Sequence, residues 1–414
     1  MERFESLYNA AVNAAVGDDL SALFNMQGEC DEHHLDCLLR PKSYPPVVRL
    51  GNCTCEEDGS RACENVCFYK ALSHDEQGNV VISAKDCVGC GECIASCEKN
   101  NLTDIREVVP IFELINSGVP VYVLIAPAFL SQFSPRMTPG KLRSAFKALG
   151  FAGMIEVALF ADILTLKEAL EFNEAVTKKE DFILTSCCCP MWVGMIRKVY
   201  STLAPHMPPS VSPMVASGRA IKKLHPESKT VFIGPCIAKK GEARQPDIED
   251  AVDFVLTFQE TDEIFRAAGI DPEGLKEDLR DHSSAAGRIY ARTGGVSKAV
   301  EDTVERLFPE RDIKVKAMQA DGVPTCKALL KEVMEGKIDA NFIEGMGCPG
   351  GCVGGPKALI NRNEGAKHVD SYAAEAEIKT PADNPFVLEM LARLGFDTIE
   401  SLKAGHNMFT RDFK

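Results

Sequence analysis

The sequence has no excess of positive charge, no long apolar run and no low-complexity tract. Its 46 basic residues are outnumbered by 60 acidic ones, a formal net charge of −14 over 414 residues. That balance argues against a nucleic-acid footprint and against an anionic membrane surface. No stretch approaches the roughly eighteen consecutive apolar residues that a membrane span needs. The opening residues, MERFESLYNAAVNAAVGDDL, carry acids early and lack an apolar core, so they read as an amphipathic helix rather than a secretory signal. A dinucleotide loop is missing too, because the glycines of GGCVGGP do not follow its spacing. What remains is ordinary globular composition, 45% hydrophobic and 26% charged, in a chain long enough for two or three domains. The expectation is a cytoplasmic protein that binds neither nucleic acid nor membrane.

Against those absences stand 17 cysteines. In a reducing compartment, thiols at short spacings favour metal binding or redox chemistry over disulfides. Ten lie between Cys30 and Cys97, and six of the other seven fall in three tight motifs. Cys326, in VPTCKALL, stands alone and reads as a buried helical thiol.

Residues 85–101, KDCVGCGECIASCEKNN, place Cys87, Cys90, Cys93 and Cys97 in the C-x2-C-x2-C-x3-C run with which bacterial ferredoxins hold 4Fe–4S clusters. Gly89, Gly91 and Ala95 are small enough for the loop to wrap its thiolates inward. A zinc site would expect two separated C-x2-C pairs instead. An altered partner run, NCTCEEDGSRACENVC, supplies Cys53, Cys55, Cys63 and Cys67. In two-cluster ferredoxins the fourth cysteine of each run crosses to the other cluster. The expected sets are therefore Cys53, Cys55, Cys63 with Cys97, and Cys87, Cys90, Cys93 with Cys67. Upstream, CDEHHLDC holds Cys30, His33, His34 and Cys37. A small metal site is conceivable there, but ordinary thiols and two solvent-facing imidazoles on a helix are the preferred reading.

Beyond residue 105 short apolar runs alternate with amphipathic helical stretches, the pattern of an α/β domain with a mainly parallel sheet. The strand candidates are VPVYVLIAP, DFILTS, KTVFIGP, DFVLT and ANFIEG. Four of them run into unusual residues: Ala126-Pro127-Ala128, the triple cysteine TSCCCPMW, Cys236 in GPCIAKKGE, and Cys348 with Cys352 in MGCPGGCVGGP. Sites in open α/β sheets lie beyond the carboxyl ends of strands. One cysteine there is a small core residue by default, but three strand ends delivering thiols together point to a bulky inorganic group. The glycines of CPGGC permit close backbone approach, and Lys239 brings a cation to the same edge.

TSCCCPMW, GPCIAKKGE and FIEGMGCPGGCVGGP resemble the three signature motifs of iron–iron (FeFe) hydrogenases, in a branch carrying the TSCCCP variant. VALFADILTLKEALE and ARTGGV add to the match, which spans roughly residues 50–360. The resemblance implies a hydrogenase H-cluster domain of two parallel-sheet lobes with flanking helices, preceded by a two-cluster, bacterial-ferredoxin-like α+β domain. The implied boundaries are an N-terminal helical segment over 1–46, the ferredoxin-like part over 47–104, the catalytic domain over 105–365 and a C-terminal helical segment over 366–414. It also implies an H-cluster, a 4Fe–4S cubane bridged to a di-iron unit with carbonyl, cyanide and dithiolate ligands, fed by two 4Fe–4S clusters.

Carried over by position, Cys189, Cys236, Cys348 and Cys352 would hold the cubane, with Cys352 bridging. Cys188 would carry protons, leaving Cys187 as a small buried spacer. Lys239 would bond a cyanide, Ala126 and Pro127 would line the dithiolate, Met346 would pack beside the irons, and Glu242 would belong to the same cofactor site. Glu168 and Glu171, one helical turn apart, match the family's proton-path glutamates. The family's methionine in the second motif is Gly234 here, its glutamine after SP is Met214, and its path serine falls at Pro208 or Pro209. Any relay must then use Ser210, water or another route. The implied partners are a ferredoxin-like electron carrier, maturation proteins, protons and dihydrogen. A dihydrogen sensor and an iron–sulfur assembly protein are the alternatives. The sensor is disfavoured because residues after 360 leave no room for a signalling domain, and the assembly protein because Cys188, Lys239 and Glu242 are all present.

Overall fold

The computed structural model describes residues 2–21, 23, 30–55, 61–405 and 407–413. Its first helix, Glu2–Val16, buries Phe4, Tyr8, Ala11, Val12 and Ala15. That 3.6-residue stripe seats it against the helices Val108–Asn116 and Phe258–Ala267. A second helix, Glu32–Leu39, starts at Asp31, whose carboxylate accepts from the amides of His33 and His34. Both imidazoles then cap backbone: His33 Nε2 meets the carbonyl of Arg49 at 2.8 Å and His34 Nε2 that of Leu50 at 2.6 Å. His33 is exposed, but His34 is buried, as is Cys37. The two imidazoles therefore do not both face solvent as expected, and both close the end of the first strand.

The cysteine-rich segment folds into very short elements. β1 (Val47–Arg49) pairs antiparallel with β4 (Leu102–Asp104), and β2 (Leu72–His74) with β3 (Val80–Ile82). One-turn helices, Ala62–Asn65 and Glu92–Ala95, follow the loops that carry the thiols.

The remainder is α/β, as expected. One parallel sheet has the order β6–β5–β8–β9, made of β5 (Val121–Ile125), β6 (Gly153–Glu156), β8 (Lys229–Gly234) and β9 (Phe254–Thr257). The other runs β10–β11–β7, from β7 (Ile183–Leu184), β10 (Ala317–Asp321) and β11 (Phe342–Met346). Strands β6 and β10 had no counterpart in the sequence reading.

The long helix Ala158–Ala175 packs against the helices Pro213–Leu224, Ala285–Arg288 and Gly295–Leu307. It is buried on nearly every side, so it is apolar all round rather than along a stripe. Full burial of Phe160, Leu166 and Phe172 contributes about 1.5–3 kcal/mol each. Lys167 and Glu168 are nevertheless buried on it, at a cost that calls for partners. Among the described residues no helix is long and apolar enough to cross a membrane.

Candidate functional site

Both parallel sheets end at one cavity of about 70 Å³, several times the ~10–15 Å³ that one water requires. The first sheet contributes Ala126 and Pro127 after β5, Phe232 in β8 and Cys236 just beyond it. The second contributes Cys188 and Cys189 after β7, and Met346, Cys348 and Cys352 at and beyond the end of β11. The wall is almost wholly apolar apart from these thiols, Lys239 and Tyr290, whose hydroxyl is 2.7 Å from Thr165 Oγ1.

Local geometry explains each placement. Ser186 adopts φ +69°, an unusual conformation for a residue with a Cβ, and turns the chain sharply between β7 and the helix Pro190–Lys198. Trp192 anchors the turn by donating from Nε1 to the carbonyl of Thr185 at 2.7 Å. Cys189 Sγ accepts from the amide of Gly347 at 3.2 Å, tying the first motif to the third. Gly351 sits at φ +87°, and a Cβ there would lie 2.7 Å from the amide nitrogen of Thr293, so no side chain fits at the position just before Cys352.

The donor set suits a group larger than an ion. Among the described residues no three His, Cys, Asp or Glu side chains converge on a point where a single metal ion would sit. Instead Cys189, Cys236, Cys348 and Cys352 surround a common space. Burial pushes the Cys236 thiol up to about 11 and that of Cys352 to about 12. Thiols raised this far carry protons, which a metal group displaces on binding. Lys239 is buried and donates to Glu242 Oε2 at 2.5 Å. Its other two ammonium hydrogens have no hydrogen-bond acceptor among the described residues, which fits an anionic ligand in the cavity. Glu242, expected at the cofactor site, does not line the cavity. It stands behind Lys239 as counter-ion, which keeps a buried ammonium charged.

Behind the cavity, Glu168 is fully buried and accepts from Thr185 Oγ1 at 3.1 Å through both oxygens. Burial, reinforced by the nearby Glu171 carboxylate, lifts its pKa to about 8. Glu171 is bound by Lys167 Nζ and by Ser210 Oγ at 3.3 Å, and Lys167 also donates to Ser210 Oγ at 2.7 Å. Cys187 does not reach the cavity. Its Sγ lies 3.2 Å from the carbonyl of Val211 and 3.9 Å from Glu168 Oε1, so the expected spacer is the thiol that meets Glu168. Cys326 is buried in the helix Val323–Met334, as expected, with Sγ 3.3 Å from the carbonyl of Met346.

The N-terminal thiols form two gatherings. Cys53, Cys55, Cys63 and Cys97 line one small pocket. Cys67, Cys87, Cys90 and Cys93 lie close enough that, beyond the dominant effect of burial, Cys67 and Cys87 help raise the Cys90 and Cys93 thiols. Backbone amides already point at the sulfurs, from Ala71 to Cys67 at 3.3 Å, Val80 to Cys53 at 3.4 Å and Asn101 to Cys97 at 3.3 Å. Phe232, Tyr290, Met214 and Lys167 were not anticipated as parts of the site. Only their place in the fold brings them there.

Two parallel lobes closing on a ring of thiols define the FeFe hydrogenase fold. The apo form of an FeFe hydrogenase from Chlamydomonas reinhardtii superimposes with a TM-score of 0.57 at 22% identity, covering 70% of this chain and 93% of that one. A family model described as "Iron only hydrogenase large subunit, C-terminal domain" matches residues 119–356, and the chain belongs to that family. It is 32% identical over 261 residues to the periplasmic Fe hydrogenase large subunit of Nitratidesulfovibrio vulgaris, spanning 53% of this chain and 62% of that protein. It is also 25% identical over 383 residues to protein NAR1 of Arabidopsis thaliana, spanning 74% of this chain and 80% of that protein. The chain spans less than two thirds of the length of the curated hydrogenases it matches.

Proposed function

We propose that this protein is an FeFe hydrogenase interconverting two protons and two electrons with dihydrogen, its cavity holding an H-cluster. The observation that carries the reading is the ring of Cys189, Cys236, Cys348 and Cys352 around an apolar space, with Lys239 beside it. In this reading those four thiolates would hold the cubane, with Cys352 the one that would also serve the di-iron unit. When bound, the group supplies the redox-active irons at which protons and electrons combine.

The protein's own residues orient and feed it. Lys239 presents two free donors to an anionic ligand. Ala126, Pro127 and Met346 exclude water from the reacting side, which strengthens every polar contact within. Protons enter by Ser210 and Glu171, the pair that answers for the missing path serine. Glu168, with its pKa near neutrality, suits both acceptance and release of a proton. Cys187 stands between Glu168 and the neighbouring Cys188, which delivers to the cavity.

Two 4Fe–4S clusters would be held within a ferredoxin-like unit over residues 47–104, one by Cys53, Cys55, Cys63 and Cys97 and the other by Cys67, Cys87, Cys90 and Cys93, and would supply one-electron transfer toward the cavity. A small low-potential carrier such as a ferredoxin is the donor, maturation proteins install the di-iron unit, and the protein works in the cytoplasm.

A second reading has a specific support. NAR1 and the cytosolic iron–sulfur assembly components align over 74–75% of this chain at 22–25% identity, so an assembly protein without a di-iron unit shares the architecture. Infrared spectroscopy of protein co-expressed with maturation factors separates the two. Iron-bound carbonyl and cyanide bands, with dihydrogen evolution from a reduced low-potential donor, are the expected result. Fully loaded cubanes with no such bands overturn the hydrogenase reading.

A further inference from the structure

Tyr69 lies at the seam between the N-terminal thiols and the cavity. It is two residues after Cys67, and its hydroxyl donates to the carbonyl of Met191 at 2.7 Å, two residues after Cys189. A buried tyrosine generally finds such a partner, but this one joins two cluster-binding motifs. The connected path is Cys67, Phe68, Tyr69, one hydrogen bond of ordinary O–H···O length, then Met191, Pro190 and Cys189. The ring is 8% exposed and packs so closely on the helix Pro190–Lys198 that a Cβ at Gly194 would lie 3.2 Å from it. Phe68 meets the ring edge-on with centroids 5.1 Å apart.

We propose that Tyr69 is the electronic bridge between the nearer N-terminal cluster and the cavity cubane, its hydrogen bond to Met191 closing the one through-space step in an otherwise covalent path. The inference rests on the cluster assignments proposed above. One electron leaves the reduced cluster on Cys67, Cys87, Cys90 and Cys93 and reduces the cubane on Cys189, Cys236, Cys348 and Cys352. No bond breaks, no proton moves, and Tyr69 is not itself oxidised. Lys198 Nζ crosses the same seam from the end of its helix away from Cys189, donating to the carbonyls of Lys85 and Asp86 at 2.9 and 3.1 Å, and a further contact exists where Gly89 backs onto Ile237 and Ala238. The latter is van der Waals only, a longer gap for an electron than a hydrogen bond.

The test uses the full chain reconstituted with iron and sulfide alone, without the di-iron unit, so that activity is not the readout. Flash reduction by a photoexcited one-electron donor, followed by freeze-quench electron paramagnetic resonance, tracks redistribution from the N-terminal clusters to the cavity cubane. Tyr69→Phe keeps the ring on Gly194 and loses only the hydrogen bond, so it should fold normally. It is expected to slow the redistribution several-fold with both midpoint potentials unchanged, and Tyr69→Leu to slow it further. Equal rates in all three proteins overturn the proposal and move the crossing to another contact of the seam. Slowing that a displaced potential explains also overturns it. A wild-type protein whose iron count and spectra lack the cavity cubane would instead bring down the cluster reading itself, an outcome visible before any rate is measured.

Discussion

The two cysteine-rich regions solve the same problem by opposite means. The N-terminal thiols sit on elements of three or four residues, in loops that turn on themselves, with backbone amides already aimed at sulfur. The cavity thiols come from three strand ends on two separate sheets, and meet only because the sheets do. A local set tolerates injury locally. A set assembled by tertiary structure concentrates the whole domain on one point, where burial and charge must be balanced together.

The strongest attempt to break that contrast is at the triple cysteine. Cys189→Ala is expected to abolish the cavity cubane and every carbonyl and cyanide band, while Cys188→Ala keeps the cubane and loses dihydrogen turnover. Loss of the cubane from Cys188→Ala instead would shift the roles by one residue.

Next is the buried cation. Lys239→Met leaves Glu242 charged and unpaired, which typically costs about 3–5 kcal/mol, whereas replacing both partners by neutral residues recovers most of it. Urea unfolding of the unloaded single and double variants reads the difference.

Glu168 provides a test by pH. Its folded-state pKa is raised from 4.5 to about 8, so the folded protein holds this proton more tightly than the unfolded chain. The stability it contributes is full below pH 4.5 and is lost as pH rises toward about 8. Lys167 and Glu171 face it from its own helix, Thr185 and Cys187 from the turn after β7, Tyr290 from across the cavity and Glu344 from β11. Glu168→Gln should flatten that decline, leaving a variant more stable than wild type at pH 9, as thermal midpoints across the range would show.

The smallest effect belongs to the local set. Cys97→Ser is expected to remove or convert one N-terminal cluster, lowering the iron count, while the carbonyl and cyanide bands of matured protein stay unchanged. Loss of those bands would mean that the two regions fold as one unit.

Legibility in the sequence followed the same division. The N-terminal sets could be paired from spacing because their geometry is local. Strands β5, β8 and β11 announced themselves as apolar runs because they are buried on both faces. The two missed strands, GMIE and AMQAD, are each at the edge of a sheet, where partial exposure removes the continuous apolar signal. Lys167 and Glu168 look like solvated helix charges in sequence, since nothing local says that the helix around them is buried on all sides. That Glu242 stands behind Lys239 was not legible, because spacing cannot say which of two buried groups stands in front. Cys187 is buried as expected, but its approach to Glu168 depends on tertiary packing that spacing does not show.

Lys239 and Lys240, neighbours in one short helix, face different worlds. Lys239 serves the cavity with Glu242, while Lys240, fully buried, binds Glu260 at 2.8 Å and Asp104 at 3.4 Å, the latter on the last residue of β4 and also held by Lys357. A single helical turn thus sets the phase of two ammonium groups at once. Substituting either lysine damages one side only. Inserting or deleting one residue in CIAKKGE would rotate both out of place, so a change of length here costs both sites at once where a substitution costs one.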